Sequence, residues 1–341
     1  MDYRRGPVEE LTVLTLRTGD IEAVILPDKG ADIYSLTDRR TGVDVLFKSP
    51  WGRRSAGPWP RAASSMQRWV EAYPGGWQVL LPNGGDECVE QNVTWGYHGE
   101  AALVPWQVLQ AGETAATLET RLFTVPLHVR REFTLCGAVL RLTETVTNDS
   151  PQELEVMWIH HPAFGAPFLE HGCLLSAGCA SVLADHEAPG TLLAPASEHR
   201  WPHARDVSGG PLDLRAIPGP DEPRSVLAYL GDFTSGYFAI TNPRLRLGAG
   251  LRWPLEVFPR AWLWQEVHAG EGWPWYQRAY AVAVEPASTI PGHGMGTARA
   301  QGYPGVRFAA GQARQVVLEA VVFEADGPVA DITEGGRVQL A

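Results

Sequence analysis

Apolar and polar residues alternate with a period of two along much of this chain. Such runs occupy Leu11 to Arg17, Ile21 to Leu26, Val43 to Phe47, Ala116 to Phe123, His128 to Leu135, Val139 to Val146 and Glu153 to Ile159. The second half adds Ser225 to Leu230, Gly236 to Thr241, Leu255 to Trp264, Ala279 to Glu285 and Arg314 to Phe323. A period of two sends successive side chains to opposite faces of a strand, so each run predicts a strand with one buried face. Gly and Pro, 36 and 27 residues, punctuate the runs along the whole chain and do not gather in one linker. Many short strands with turn signals between them predict an antiparallel all-β fold. One short helix is expected, over Ser64 to Ala72. With no longer amphipathic helix in view, a doubly wound α/β fold is disfavoured, and the lack of an internal period disfavours a propeller or solenoid.

Composition narrows the function classes. Of 341 residues, 45% are hydrophobic and 20% charged, the balance of a globular chain. A β-sandwich or barrel often exceeds about 200 residues as one unit, so residues 1–341 are expected to form a single domain. The net charge of −11 argues against nucleic-acid and membrane-surface partners, which need a positive face. No apolar run is long enough for a spanning helix, and MDYRRGPVEELTVL has no secretory apolar core. A cytoplasmic location is expected, as a monomer or homodimer. Cys88, Cys136, Cys173 and Cys179 show no CxxC spacing and read as small buried apolar residues. The ten His form no HExxH or HxH pattern, so no metal is expected. Without a GxSxG elbow, a P-loop or a GxGxxG turn, the common hydrolase, nucleotidase and dinucleotide readings fall.

Three segments carry candidate chemistry. ELEVMWIHH ends in His160 and His161, which alternation places on opposite faces, so only one can reach a site; the bare pattern favours a structural strand end. In AYAVAVEPAS, Ala279, Ala281, Ala283 and Glu285 share a face, and the small residues leave room above it. There a terminal carboxylate is either solvated or a base. WGYHGE sets His98 between Gly-rich turns beside aromatic rings, and Trp262 and Trp264 supply further rings. Rings with a few polar groups suit sugars, whose C–H faces stack while their hydroxyls hydrogen-bond. Residues 48–100 and 184–224 are long and irregular. The first is rich in Trp and Gly and is expected to wall a site.

The order of these segments resembles the aldose 1-epimerase (galactose mutarotase-like) family. LPDKGADIYSLTDRRTG resembles its N-terminal hairpin, LPNGGDE with WGYHGEA and VPW its Asn-Gly-Gly segment and His-Gly loop, and LHVRREFTLCGAVLRLTETVTNDSPQELEVMWIHHPAFG its central strands and His-Pro segment. AVAVEPAS resembles the strand bearing its catalytic glutamate. The resemblance covers about residues 8 to 325. It implies a large antiparallel β-sandwich with a sugar site on the concave face of one sheet. It also implies roles: His161 as catalytic acid, Glu285 as base and His98 as a sugar contact, with Asn83, Trp262, Trp264 and Gln265 around the substrate. The family's Asn-Arg pair is absent; Asn83-Gly84-Gly85 stands nearby, with Arg61 or Arg68 as substitutes. For the Asp that holds sugar hydroxyls, Asp213, Asp221 and Asp232 are available, and Asp232 is chosen.

The implied activity is interconversion of α- and β-anomers of a small-molecule sugar by acid–base ring opening, which needs no metal or cofactor. Two alternatives stand beside it. A hexose-6-phosphate mutarotase would need an Arg cluster, for which Arg53, Arg54, Arg61, Arg68 and Arg278 are candidates. A non-catalytic carbohydrate-binding protein would keep the Trp residues and lose the acid–base pair.

Overall fold

The structure, a computed structural model, describes residues 11–53, 63–188 and 191–341. Its strands build two large antiparallel sheets, as the alternation predicts. The larger sheet runs through Leu14–Arg17, Ile21–Leu26, Asp32–Asp38, Trp77–Leu80, Ile159–Gly165, Tyr280–Ala287, Arg260–Val267, Arg224–Gly231 and Ser181–Ala184. Three short strands, Glu198–Arg200, His203–Arg205 and Pro211–Asp213, extend its far edge. The smaller sheet runs through Leu174–Ala177, Tyr237–Asn242, Leu247–Arg252, Ala313–Phe323, Val139–Asn148, Leu127–Cys136, Ala115–Arg121 and Gln107–Ala111.

The two sheets pack face to face. Phe164 of the larger meets Phe238 of the smaller edge-on, with ring centroids 5.5 Å apart. Trp158, Phe258 and Phe308 fill the same layer and are fully buried. A buried ion pair between neighbouring strands of the smaller sheet also lies in this layer. Arg131 donates through Nε to Glu144, and its Nη1 reaches the carbonyls of Gly30 and Ala31 at 3.3 and 3.1 Å. Charges removed from water this completely persist only when paired and hydrogen-bonded.

Most expected strands appear with ends moved by a residue or two. The run Leu255 to Trp264 is shorter as a strand, beginning at Arg260, because Pro254 and Pro259 bracket a turn closed by the Phe258 N–H on the Pro254 carbonyl. The expected helix is Ser65–Ala72. Ser64 caps it, its Oγ accepting from the Gln67 N–H at 3.1 Å, and it buries Trp69 and Val70. Of the cysteines only Cys173 is buried; Cys88 and Cys179 are half-buried, and Cys136 is exposed where its strand ends.

Candidate active site

Strand register assembles one row of side chains on the face of the larger sheet that points away from the smaller. Ile159 pairs with Ala287 and Ala163 with Ala283, which sets His161 beside Glu285. Glu285 pairs in turn with Trp262, and Trp262 with Tyr229. His161, Glu285, Trp262 and Tyr229 thus stand side by side across four strands, at the spacing where cross-strand neighbours touch. One step along, Trp264 pairs with Ala283, whose small side chain leaves the ring room.

The adjacent histidines divide as alternation requires. His160 faces the smaller sheet, where its Nδ1 accepts from Trp77 Nε1 at 3.2 Å and its Nε2 lies 3.6 Å from Glu144. His161 faces outward into a cavity of about 360 Å³, at the small end of ligand-site volumes. Its Nε2 lies 3.6 Å from Glu285 Oε1.

The irregular segment 48–100 walls this cavity, as expected. The helix delivers Trp69 and Tyr73, and the loop beyond delivers Asp86, Tyr97 and His98. The loop is zipped to its surroundings by backbone bonds. The His98 N–H donates to the Gly85 carbonyl at 2.9 Å, and the Gly85 N–H donates to His98 Nδ1 at 2.8 Å. Gly85 adopts φ +71°, and a Cβ there would lie 1.7 Å from the Gly292 carbonyl oxygen, so only glycine fits.

Electrostatics follow from this burial. Glu285 is 2% exposed and has no cation beside it among the described residues; desolvation holds its carboxyl well above the ordinary value. Burial lowers His161 to about 4, with the Lys29 charge adding to the effect. His98 is also pushed well down, by burial and then by His161. A neutral His98 whose Nδ1 accepts from Gly85 carries its proton on Nε2 and is therefore a donor there. Four buried polar atoms of the cavity wall have no hydrogen-bond partner among the described residues: Trp69 Nε1, Tyr73 OH, His161 Nδ1 and Glu285 Oε2. Native interiors leave few such atoms, and those left unpaired call for an explanation.

The rim carries a clamp that the sequence did not disclose. His293 places Nδ1 2.7 Å from Asp86 Oδ2 and Nε2 2.9 Å from Asp185 Oδ2. Those hydrogen bonds, Asp185's first, push His293 up to about 10, so it is an imidazolium at neutral pH. For Asp185, burial acts upward, but hydrogen bonds from His293 and Tyr229 outweigh it and bring the carboxyl to about 2. Asp185, His186 and His293 also offer ligand atoms within 4.8 Å of one another. With both His293 nitrogens engaged by carboxylates, this geometry is an ion-paired clamp joining three loops.

Of the residues expected from sequence, His161, Glu285, His98, Trp262 and Trp264 meet in the cavity wall. Three others do not. Asn83 is wholly buried and braces the loop, its Nδ2 donating to the carbonyls of Asp86 and Gly96 at 2.7 and 3.1 Å. Gln265 alternates with Trp264 onto the opposite face and donates to the Leu214 carbonyl at 3.4 Å. Asp232 is exposed in a turn after Arg224–Gly231, outside the cavity. Asp213 forks onto Arg215 instead. The aspartate that does line the cavity among the described residues is Asp86, within the quoted LPNGGDE. Of the phosphate-binding candidates among the described residues, Arg53, Arg68 and Arg278, none lines the cavity. Arg53 lies 5.5 Å over the Tyr34 ring, Arg278 lines a neighbouring depression, and Arg54 and Arg61 fall outside the described residues.

Two stacked antiparallel sheets with a ring-lined cavity on the outer face of one define the galactose mutarotase-like fold. Solved structures share it. A protein named as a candidate aldose 1-epimerase from Klebsiella pneumoniae aligns with TM-score 0.71 at 16% identity, over 95% of this chain and 82% of its own. Slr1438 from Synechocystis aligns with TM-score 0.67 at 14% identity, over 95% and 100%. A galactose mutarotase-like protein from Lactobacillus casei aligns with TM-score 0.65 at 16% identity, over 92% and 100%. No curated protein matches the sequence at a significant level. The family described as a domain of unknown function, DUF4432, matches residues 9–204, more than half of the chain, and the chain belongs to that family. No helix among the described residues is long and apolar enough to cross a membrane.

Proposed function

We propose that this protein is an aldose mutarotase, an isomerase that interconverts the α- and β-anomers of an uncharged aldose. One observation carries the reading. A buried carboxyl and a buried imidazole, 3.6 Å apart, open onto a ring-lined cavity whose wall holds four unpartnered polar atoms. Sugars match such a wall: their hydroxyls satisfy the polar atoms and their C–H faces lie on Trp262 and Trp264.

The reaction then needs only proton transfers. Glu285 takes the proton of the C1 hydroxyl while the C1–ring-oxygen bond breaks, and His161 gives a proton to the ring oxygen. The product is the open-chain aldehyde. Rotation about C1–C2 presents its other face, and the reverse transfers close the opposite anomer. His98 donates its Nε2 proton to the ring oxygen or a neighbouring hydroxyl. Asp86, fixed by His293, takes over the hydroxyl-holding role expected of Asp232.

Burial favours the uncharged form of both partners, so the pair rests with its one proton on Glu285. Moving that proton to His161 creates the acid–base state at constant net charge. The ratio of the two states is therefore independent of pH, and pH controls only whether the pair holds one proton.

No Arg or Lys lines the cavity among the described residues, while Asp86 and Glu187 do, which supports an uncharged sugar over a sugar phosphate. The test is anomer exchange by NMR saturation transfer across free and 6-phosphorylated aldoses, for wild type and Glu285→Gln. Faster exchange of a free aldose, lost in the variant, is expected. Sugar binding without acceleration would instead establish a non-catalytic carbohydrate-binding protein.

A further inference from the structure

Beside the cavity lies a second depression of about 430 Å³. The two share Val70 and Pro274 as a common wall. A path of rings joins them: Trp264 meets Trp275 with centroids 5.6 Å apart, and Trp275 stacks on Trp51 at 5.3 Å and 17°. Trp275 faces the cavity and Trp51 the depression.

The outer lip of the depression is made of aromatic rings left in water. Trp273 is 46% exposed and Tyr276 58%. Large rings normally supply burial, so two held outward at one lip mark a binding surface. The loop holding them is ordered by its own hydrogen bonds: Tyr276 N–H to the Gly272 carbonyl at 2.8 Å, and Arg278 N–H to the Trp275 carbonyl at 2.9 Å. Tyr276 and Gln277 take φ of +47° and +59° to keep this shape, a conformation unfavourable for residues with side chains and frequent at ligand clamps. Gln67 and Arg278 add hydrogen-bonding groups among the rings.

We propose that this depression is a second sugar subsite, and that the substrate is a reducing disaccharide or longer oligosaccharide. Its reducing-end ring occupies the cavity and the next ring lies on Trp273 and Tyr276. This rests on the mutarotase reading and names its substrate class. The chemistry is unchanged, because only the reducing end has a hemiacetal to open. The glycosidic bond passes over the Val70–Pro274 wall.

The experiment compares each reducing disaccharide of a panel (lactose, cellobiose, maltose, gentiobiose, melibiose) with its own reducing-end monosaccharide. Anomer exchange gives kcat/KM, and tryptophan fluorescence titration gives affinity. Trp273→Ala and Tyr276→Ala are measured alongside wild type; both side chains are solvent-exposed and outside the catalytic cavity, so the fold tolerates their loss. At least one disaccharide is expected to outperform its monosaccharide by about tenfold or more, as one added ring contact implies. Each variant should erase that advantage and leave monosaccharide exchange unchanged. Monosaccharides exchanging while no disaccharide exchanges or binds better would overturn the subsite and leave the mutarotase reading standing. Tighter disaccharide binding that Trp273→Ala abolishes, with no exchange of any sugar, would support the subsite and refute the mutarotase. Equal loss for both sugar sizes in the variants would overturn the subsite as well.

Discussion

Glu285→Gln should stabilise the protein while it disables it, and the stabilisation should grow with pH. In the unfolded chain this carboxyl ionises near the solvated value of about 4.3. In the fold it keeps its proton to much higher pH, because desolvation opposes charge and no cation compensates. As pH rises above the solvated value, the unfolded state loses its proton first. Wild-type stability therefore falls with pH until the raised folded value is passed. One such proton corresponds to about 1.4 kcal/mol per pH unit. For 341 residues at about 2.1 cal/mol/K each, the unfolding entropy is about 0.7 kcal/mol/K, so the gap in Tm should widen by about 2 °C per pH unit. Gln keeps the shape and cannot ionise. Its own unsatisfied amide adds an offset that does not vary with pH. The assay is thermal unfolding of both proteins from pH 5 to 9. Variant minus wild type should climb from pH 5 until the raised folded value of Glu285 is passed, while anomer exchange drops about 10²- to 10⁴-fold. Parallel melting curves across that range would refute the reasoning, since they would mean that Glu285 titrates alike in the folded and unfolded chain.

Four further outcomes follow from the same geometry. The exchange rate should stay level across neutral pH and fall only near and below about 4, where a second proton enters the Glu285–His161 pair; a limb near 6.5 would place His161 in solvent-like surroundings. His98→Asn should lower sugar affinity and turnover together in a kinetic assay, because it removes the Nε2 donor while its Oδ1 can still accept the Gly85 N–H. Asp86→Asn should raise KM and Asp232→Asn should leave it unchanged, and equal effects would return the hydroxyl-holding role to neither. Lys29→Met should cost about 3–5 kcal/mol in denaturant unfolding, because it strands Asp32, which is fully buried and paired with Lys29 at 2.6 Å.

How much of this was legible depended on whether a strand faces water. Leu127–Cys136 and Val139–Asn148 alternate cleanly because one side is solvated, and the period-two reading finds both nearly to their ends. Ile159–Gly165 is buried along its whole length and carries Pro162 and Gly165, so periodicity alone ends the run at Ile159. The candidate acid, base and two of the Trp residues lie on strands, where sequence order and face parity can be read. Tyr73, Asp86, Tyr97, Trp275 and His293 reach the cavity from the helix or from loops, and no local period announces a contact made at such sequence distance. Gln265 shows the limit of proximity: one residue from Trp264, it points to the opposite face. Asp232 illustrates the converse: it follows a well-read strand, yet it is exposed and lies outside the cavity.

Two buried glutamates in this fold differ in how their charge is compensated. Glu144 and Glu285 are equally withdrawn from solvent. For Glu144, burial acts upward, but the Arg131 charge, His160 and hydrogen bonds from Arg131 and Trp158 outweigh it and hold the carboxyl below its ordinary value. Both of its oxygens accept hydrogen bonds, from Arg131 Nε and from Trp158 Nε1 at 2.6 Å, so it has nothing left to exchange. Glu285 has a histidine at 3.6 Å, one oxygen without any partner, and only desolvation acting on it. A carboxyl left so incompletely satisfied costs stability and keeps a proton that it can exchange. The adjacent histidines repeat the division across the thickness of one strand. His160 has a Trp77 donor on one nitrogen and faces Glu144 with the other, closing the interior network. His161, one residue on, turns toward the carboxyl that lacks partners. Alternation along a single strand thus sends one imidazole to each glutamate, and the difference in how those glutamates are compensated supports the proposed division, a structural first pair and an acid–base second one.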